Sequence, residues 1–361
     1  MHAILKISLE KVKSNWIVLN KASQGNAAAV IKANAYGLGM VEVAKVLINA
    51  GCKYFYVASL EEGKELRKYI PSKNIKIAIF EGFLKGYEKI YLSDNLTPII
   101  NNLEQLERIN KTSLQGKKLK AILNIDTGMN RLGMSAKEVE FLKKNKEILF
   151  ITKWDFIMSH LANANNFRDK NNDIQLKNLL EFSKFLPNVK LTLANTAGIV
   201  LGSKFCLDQT RPGIGLYGID QQGFNIKLLD KILDLPIKLL APILQIKNVD
   251  INQSISYGGI DKTNRKSKLA TIGLGYADGW IRLLKPNSYF SINNYECKIL
   301  GNITMDSFVL DITNVKNKSI NEGDLFCLLD NSNIKNIFKN TDIISYELLT
   351  LIGTRVRRQY N

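Results

Sequence analysis

Eight short runs rich in β-branched and aromatic residues, most of them separated by a single helical pattern, constrain the fold of this 361-residue chain. The runs lie at 27–33, 54–60, 75–82, 96–102, 120–128, 154–162, 190–198 and 207–218. Helical patterns between them include 41–51, with Gly51 as a C-cap, and 103–110. Because parallel neighbours need a crossover that a helix supplies, the pattern predicts βαβ units. Eight strands predict closure into a (β/α)8 TIM-type barrel, with an open doubly wound sheet as the alternative.

The pattern changes after about residue 232. Strand-like runs joined by turn-like connections follow at 238–250, 268–279, 288–300, 306–313 and 323–330, and a helical pattern returns at 344–353. We therefore predict two closely packed domains. They are an α/β barrel at residues 1–232, whose first few residues can join the second domain, and a C-terminal β-rich domain at residues 233–361.

The composition argues against several classes of protein. No apolar run approaches the roughly 20 residues of a membrane span, and the N-terminus lacks the apolar segment of a secretory signal, which predicts a cytoplasmic protein. Four scattered cysteines and two histidines form no metal-binding pattern. The net charge of +17 is spread over many segments, so we expect a solvated surface rather than a nucleic-acid or membrane partner. The densest cluster of basic residues, at 355–361, is predicted to be a flexible exposed tail.

Lys32 ends the first apolar run, within the segment VIKANAYGLG. In a parallel barrel the functional groups gather at the C-terminal ends of the strands. Partial desolvation there favours the neutral amine, which is the form that condenses with an aldehyde. A structural lysine that extends from a strand end toward water is the alternative, and position alone favours it.

The ends of the last two predicted strands supply a second part of a candidate site. Asn195 and Thr196 follow the seventh run, and Gly213 and Ile214 lie in the eighth. Loops at these positions of a barrel commonly hold a phosphate. A lysine facing a phosphate site suggests pyridoxal 5'-phosphate, and Arg211 is placed to hydrogen-bond its pyridine nitrogen. A surface ion pair is the alternative role for Arg211.

These motifs resemble, in their order along the chain, those of the alanine racemases, which are fold-type III pyridoxal phosphate enzymes. They are VIKANAYGLG (30–39), IDTGMNRLGM (125–134), SHLANA (159–164), ANTAG (194–198), TRPGIGLYG (210–218), SYGG (256–259), GLGYADGW (273–280), GNITMDS (301–307) and ISYEL (344–348). The resemblance covers the whole chain. It implies a homodimer that interconverts L-alanine and D-alanine and supplies D-alanine for peptidoglycan.

The resemblance also implies a role for each motif residue. Lys32 would hold the cofactor covalently and act as one acid-base group, and Tyr257 of the partner subunit would be the other. Groups on opposite faces of the α-carbon account for inversion of configuration. The implied cofactor-binding residues are Lys32, Tyr36, His160, Asn195, Thr196, Arg211, Gly213, Ile214 and Tyr346. The implied substrate-binding residues are Arg131, Tyr276, Met305 and Asp306.

Three positions depart from the family pattern. Asn124 stands where many relatives have a carboxylated lysine, so we expect an anion such as chloride near Asn124 and Arg131. Thr192 stands where a histidine often hydrogen-bonds the arginine, so Arg211 is expected to be oriented differently or through water. The C-terminal run RVRR stands where the family usually has a proline.

Alternative functions remain open at this point. A broad-specificity racemase is suggested by Asn124. A decarboxylase of a basic or diamino acid is disfavoured by Arg211, because those enzymes use an acidic partner for the pyridine nitrogen. A single-barrel pyridoxal phosphate-binding protein would lack the β domain, and a nucleic-acid-binding function rests on net charge alone. Without the resemblance, His160 would be a satisfied strand-end histidine, and Tyr276 and Tyr346 packing aromatics.

Overall fold

The computed structural model describes residues 2–116, 119–220, 223–224, 226–287, 289–292, 295–315, 320–338 and 343–361. Two large sheets dominate these residues, a parallel sheet of seven strands and a mixed sheet of eight. Residues 288, 293 and 294 of the strand-like run predicted at 288–300 lie outside the described part of the chain. No described helix is both long and apolar enough to span a bilayer.

The N-terminal part alternates strands and helices. Its strands are β1 (Ile4–Ile7), β2 (Ala29–Val30), β3 (Tyr54–Val57), β4 (Lys76–Ile79), β5 (Leu96–Ile100), β6 (Lys120–Asn124), β7 (Lys153–Met158) and β8 (Lys190–Thr192). Its helices are α1 (Leu9–Ala22), a short turn α2 (Lys32–Tyr36), α3 (Met40–Asn49), α4 (Leu60–Tyr69), α5 (Glu88–Ser93), α6 (Leu103–Leu114), α7 (Ala136–Lys144), α8 (Asn171–Ser183) and α9 (Thr196–Leu201). The helices predicted at 41–51 and 103–110 are confirmed as α3 and α6, but the C-cap of α3 is Ala50 rather than Gly51, because the helix ends at Asn49 and Gly51 follows the cap with a φ of 102°.

Strands β2 to β8 pair in sequence order, and every pair is parallel. Isolated parallel bridges then close the sheet, from Thr192 at the end of β8 to Gln209 and from Thr210 to Ala27 just before β2. The barrel prediction is therefore confirmed. The regular strand predicted at 207–218 is wrong, because Pro212 has no N–H to donate and residues 214–217 turn into a 3-10 helix.

Side-chain alternation along the strands builds two layers of core. In β3, Tyr56 joins the cluster that fills the barrel interior, whereas Phe55 and Val57 join the larger core shared with the helices. The buried members of the interior cluster are Ala28, Val30, Tyr56, Ala78, Ile99, Ile122, Phe156 and Met158. The barrel is thus filled by side chains, and its functional groups are confined to its mouth.

The C-terminal part is mainly β structure. Its strands are β9 (Ile219–Asp220), β10 (Gly223–Phe224), β11 (Lys227–Leu228), β12 (Lys231–Ile232), β13 (Ile237–Val249), β14 (Ser254–Ile255), β15 (Asp261–Lys262), β16 (Ser267–Ile272), β17 (Tyr289–Ile292), β18 (Tyr295–Leu300), β19 (Phe308–Asp311), β20 (Leu325–Leu329) and β21 (Arg357–Tyr360). Its helices are α10 (Ile334–Phe338) and α11 (Ser345–Leu351), and α11 lies within the helical pattern at 344–353. The large sheet has the order β17-β18-β19-β16-β13-β1-β21, with β20 also pairing with β13.

Both ends of the described chain belong to this second sheet. Strand β1 is antiparallel to β13 and parallel to β21, with Ile4 opposite Leu240 and Arg357. The prediction of a flexible exposed tail at 355–361 is therefore wrong. Pairing with β1 and the hydrogen bonds of the half-buried Arg358 hold this segment in place. A count of basic residues reveals neither contact.

Candidate functional site

Lys32 lies just beyond β2, at the start of the turn α2. The four residues that follow it, 33–36, have φ between 51° and 55°, which is the left-handed region. For residues with a Cβ this conformation costs about 1–2 kcal/mol each. Such a turn persists only where neighbouring groups hold it, and it reverses the chain abruptly at the mouth of the barrel.

Two side chains hold the start and end of this turn. The Glu62 carboxylate accepts hydrogen bonds from the N–H of Ala33 at 2.6 Å and of Ala58 at 2.7 Å. The Asn34 side chain accepts from the N–H of Met40 at 2.8 Å. Glu62, in the first turn of α4, therefore joins the turn to the end of β3, a role that the sequence did not indicate.

The electrostatic surroundings of Lys32 favour its neutral amine. Burial lowers the pKa of Lys32, the nearby Arg131 guanidinium lowers it further, and the Glu62 carboxylate opposes both effects. The amine nitrogen lies 5.8 Å from the centroid of the Phe80 ring. Lys32 is thus half-buried against an aromatic face at the C-terminal end of the barrel.

Arg211 is fixed at the mouth by hydrogen bonds to neighbouring strand ends. Its Nη2 donates to the backbone oxygens of Ser159 at 2.6 Å and Leu193 at 3.2 Å, and its Nη1 donates to the Thr192 hydroxyl. Thr192 in turn donates to the backbone oxygen of Gln209 at 2.8 Å. Thr192 therefore orients Arg211 directly, where the sequence had led us to expect a changed orientation or a bridging water.

Arg211 is buried, yet it keeps its charge at pH 7, and one of its N–H groups has no partner among the described residues. Its side chain is 2% exposed, and its Nε has no hydrogen-bond partner among the described residues. Burial lowers the pKa of Arg211 to about 10, with the nearby Tyr56 hydroxyl opposing the shift. A group with this pKa is still protonated at pH 7. A buried cation with an unused donor is suited to a ligand that brings an acceptor or negative charge.

His160 follows β7 and is neutral. Burial, with the charges of Arg211, Arg131 and Lys32, lowers the pKa of His160 to about 3. Its Nδ1 lies 3.4 Å from Nη2 of Arg211. Because a guanidinium can only donate, Nδ1 accepts this bond and the ring carries its proton on Nε2. Arg211 therefore contacts His160, and Arg131 and Lys32 lie close enough to act on the same ring. The two guanidinium groups give this part of the mouth a positive charge.

The loops after β8 and after the closing bridges meet at Thr196. Its hydroxyl oxygen accepts from the N–H of Gly213 at 3.2 Å and of Gly215 at 3.1 Å. Asn195 caps α9 by accepting from the N–H of Gly198 at 2.9 Å. These bonds bring Asn195, Thr196 and Gly213 together, with Ile214 beginning the 3-10 helix that follows.

Two tyrosines complete this side of the mouth. A Cβ added at Gly213 would lie 2.6 Å from the Tyr36 hydroxyl, so the close approach requires glycine. The rings of Tyr36 and Tyr346 meet edge to face, with centroids 6.3 Å apart. Burial raises the pKa of Tyr36 well above its usual value, so its hydroxyl remains a hydrogen-bond donor at neutral pH.

Asn124 and Arg131 flank the loop after β6. The buried Asn124 side chain donates to the side-chain oxygen of Asn101 at 2.8 Å, and its backbone oxygen accepts from the N–H of Met134 at 2.8 Å. Arg131 is exposed in the loop between Asn124 and Met134. Its charge is close enough to Lys32 and His160 to lower the pKa of both groups.

The remaining predicted site residues lie on the second domain. Tyr257 is 78% exposed, Met305 53% and Tyr276 43%. Backbone bonds join two of the segments, from the N–H of Tyr276 to Thr304 at 3.0 Å and from the N–H of Ala277 to Met305 at 3.0 Å. Among the described residues, no hydrogen bond, ion pair or ring contact links these three side chains to the barrel mouth.

Asp306 is engaged elsewhere in the second domain. Its carboxylate pairs with Arg355 at 2.8 Å, and Arg355 also pairs with the buried Asp278 at 3.0 Å. Arg355 belongs to the basic C-terminal cluster, so one cation of that cluster has two carboxylate partners.

Comparison with known proteins gives concordant results. Residues 7–221 match the sequence profile of the alanine racemase N-terminal domain, and residues 237–360 match that of the C-terminal domain. Alanine racemase from Rickettsia rickettsii is 34% identical over 359 residues, which is 99% of this chain and 98% of the relative. Alanine racemase from Brucella ovis is 35% identical over 369 residues, covering 99% and 93%.

Solved structures agree with the sequence matches. Alanine racemase from Bartonella henselae, solved with covalently bound pyridoxal phosphate, superposes with a TM-score of 0.93 at 35% identity over 100% of both chains. Alanine racemase from Clostridium difficile superposes with a TM-score of 0.89 at 28% identity, covering 100% of this chain and 96% of the other. Together with the two-domain fold, these matches show that the chain belongs to the alanine racemase family of enzymes.

Proposed function

We propose that the protein interconverts L-alanine and D-alanine with pyridoxal 5'-phosphate bound at the barrel mouth. The observation that carries the proposal is the contact of the buried Arg211 with His160 at the barrel mouth, where the half-buried Lys32 also lies at the end of β2. The guanidinium groups of Arg211 and Arg131 fit an anionic cofactor and a substrate carboxylate. Lys32 has a lowered pKa, as a group that condenses with an aldehyde requires.

The residues present fit this cofactor. The unpartnered Nε of Arg211 offers a donor to a ring nitrogen, and the close approach of Tyr36 to Gly213 provides a hydroxyl beside a backbone turn. We propose that Lys32 and Arg211 hold the two ends of the cofactor ring, with His160 alongside. Its phosphate would be held by the residues gathered at the other side of the mouth, Tyr36, Asn195, Thr196, Gly213, Ile214 and Tyr346. When bound, the cofactor would supply an electron sink that acidifies the substrate α-hydrogen.

Arg211 would also limit the side reactions of the site. Its guanidinium is protonated at pH 7, and it donates hydrogen bonds without accepting them. It therefore cannot give a proton to the ring nitrogen it faces, and that nitrogen would stay unprotonated. A weaker electron sink favours prompt return of the proton to the α-carbon over transamination.

Inversion at the α-carbon needs proton donors and acceptors on both faces, and we propose Lys32 and Tyr257 for these roles. The neutral amine of Lys32 would take or return the proton on one face, and the phenol of Tyr257 would act on the other. Tyr257 is 78% exposed in a single chain, which supports its use in the site of a partner subunit. We therefore propose an obligatory homodimer with shared sites.

The substrate carboxylate would be recognised from both domains. Arg131 is exposed at the barrel mouth, and we propose that it binds the carboxylate together with the backbone N–H of Met305. Asp306 would lie beside Met305, and Tyr276 would narrow the entrance. We assign these domains to residues 1–232 and 233–361, with strand β1 belonging to the second sheet.

We further propose an anion, such as chloride, near Asn124 and Arg131. The Asn124 amide has two N–H groups, and one of them donates to Asn101. The second N–H and the Arg131 guanidinium could then bind the anion. Replacing chloride by a non-coordinating anion should raise the KM for alanine, and an unchanged KM would count against the site.

The physiological role we propose is supply of D-alanine for peptidoglycan in the cytoplasm. The reaction is tested by chiral analysis of L-alanine after incubation with the purified protein and pyridoxal phosphate, with L-serine and L-lysine in parallel. Conversion mainly of alanine is the expected result. Conversion of all three would favour the broad-specificity racemase suggested by Asn124. If alanine stays L while the protein holds the cofactor, the reaction assignment is wrong.

A further inference from the structure

The strained turn after Lys32 is held from outside the barrel by the C-terminal strand. Arg358, in β21, donates from Nε and from Nη2 to the backbone oxygen of Gly37, each at 3.2 Å. Gly37 directly follows the left-handed residues 33–36. A residue at the far end of the chain thus bonds to the turn that carries Lys32 and Tyr36.

The same guanidinium reaches the segment after α11. Its Nη2 donates to Ile352 at 2.6 Å, and its Nη1 donates to Val356 at 2.9 Å and to Gly353. Ile352 is the C-cap of α11, the helix that carries Tyr346. Five hydrogen bonds from one side chain therefore connect two elements, each of which presents a tyrosine to the proposed phosphate site.

The turn and α11 also touch through their backbones. A Cβ added at Gly37, whose φ is +86°, would lie 2.2 Å from the backbone oxygen of Leu349. Tyr36 and Tyr346, one from each of these elements, meet edge to face. The relative position of the two tyrosines consequently depends on the contact between the turn and the helix, which Arg358 bridges.

We propose that Arg358 is a positioning residue for cofactor binding, because it fixes the Lys32 turn against the helix that carries Tyr346. The inference rests on the proposed function, in which Tyr36 and Tyr346 bind the cofactor phosphate. Arg358 itself lies outside the mouth and is not a catalytic residue. The basic C-terminal cluster thereby acquires a role that its charge alone did not indicate.

Arginine is required by the geometry. All five bonds go to backbone oxygens that diverge around one planar group, and a guanidinium supplies five donors in a fixed plane. A lysine supplies the charge but only one nitrogen, so it cannot reach the turn and the helix end together. Substitution by lysine therefore removes the bridge while keeping the charge.

The test compares Arg358→Lys with Arg357→Lys, its exposed neighbour on the same strand. Apo-protein of each is titrated with pyridoxal phosphate, and the absorbance of the Lys32-bound cofactor gives the dissociation constant. We expect R358K to raise this constant by about tenfold or more. A change of this size corresponds to the loss of one to two hydrogen bonds. R357K should stay within about twofold of the wild type.

A double-mutant cycle with Tyr346→Phe should show non-additive effects on the same constant, because Arg358 acts through the position of Tyr346.

Thermal unfolding of the apo-proteins separates positioning from general stability. A lowered Tm for R358K with an unchanged dissociation constant would overturn the inference, as would additive effects with Y346F. If R358K does not fold, Arg358→Gln is measured instead, because its planar amide keeps part of the bridge. Wild-type protein that does not hold pyridoxal phosphate on Lys32 would instead reject the proposed function, and the inference with it.

Discussion

The barrel mouth and the second domain differ in how completely a single chain builds their part of the site. At the mouth, Arg211 has hydrogen bonds to four neighbouring residues, and the Thr196 hydroxyl accepts from the backbone of Gly213 and Gly215. On the second domain, Tyr257 is 78% exposed and Met305 53%. The side chains around Arg211 and Thr196 are hydrogen-bonded and buried, whereas the second domain exposes the side chains that we propose for the site.

This difference separates two physical tasks. A cofactor is retained through many turnovers, so its binding groups are best fixed within one chain, where burial strengthens each hydrogen bond. The second acid-base group that we propose need only reach the α-carbon from the opposite face, and a partner subunit could supply it. The left-handed turn after Lys32 belongs to the first task, because its strain is held by Glu62 and Arg358.

The largest effect is expected from Lys32→Ala, which removes the proposed nucleophile of the barrel mouth. Racemisation should fall by at least about 10³-fold, because the cofactor can no longer be held covalently. Unfolding free energy should not fall, since burial already disfavours the charged form of this lysine. Chiral analysis and cofactor absorbance measure the first effect and denaturant unfolding the second. Cofactor-dependent racemisation by K32A at the wild-type rate would contradict the assignment.

Tyr257→Phe tests the exposed region. Loss of the phenol should slow α-hydrogen exchange with solvent by about 10²–10⁴-fold for one enantiomer and much less for the other. Because the ring is exposed, unfolding free energy should change by less than about 0.5 kcal/mol. Loss of label from α-deuterated L-alanine and D-alanine, followed separately, is the measurement. Equal and mild effects on both enantiomers would exclude the two-base assignment.

Thr192→Val probes the hydrogen-bond network around Arg211. It removes the acceptor for Nη1 and leaves a buried donor unsatisfied, which should cost about 1–3 kcal/mol of unfolding free energy and weaken cofactor binding. Thr152→Val is the matched control, because that buried hydroxyl donates at 2.7 Å to Asn110, away from the mouth. The control should lose stability with no loss of cofactor affinity. Equal cofactor affinities for T192V and wild type would show that Thr192 does not position Arg211.

His160→Gln is expected to change racemisation the least of these variants, and its clearest effect is on the pH dependence of the unfolding free energy. Because the folded-state pKa of His160 is lowered to about 3, protonation favours the unfolded chain. This contribution to stability is complete above the unfolded pKa near 6.5 and is lost as pH falls toward 3, by up to about 1.4 kcal/mol per unit. Wild type should therefore lose more unfolding free energy than H160Q between pH 6.5 and 4. Parallel curves for the two proteins would contradict a buried neutral His160.

The two regions also differ in how well the sequence predicts them. The alternation of strand-like runs with helical patterns predicted the barrel strands, because buried strands and crossover helices each have a characteristic period of apolar residues. The eighth strand was misjudged, since the bridges at Gln209 and Thr210 depend on closure of the sheet and leave no pattern of their own. Lys32 and Gly213 could be proposed from the sequence because their residue types and strand-end positions are themselves signals, and the structure places both at the barrel mouth.

Contacts between distant segments left no such signal. Arg358 appeared as one charge in a basic tail, and its bonds to Gly37 exist only because β21 pairs with β1 at the other end of the chain. The left-handed turn at 33–36 is likewise imposed by tertiary contacts, as only Asn34 among its residues has any local tendency toward that conformation. Long-range packing determines these features, and local sequence patterns do not encode it.

The most direct test of the split site mixes two inactive variants. Lys32→Ala and Tyr257→Phe are co-expressed, so that hybrid dimers contain one site with a native Lys32 and the partner's native Tyr257. Random pairing makes half of the dimers hybrid, each with one complete site, so activity should return to about a quarter of wild type. Activity no higher than that of the separate variants would contradict the account, because each tyrosine would then serve its own chain.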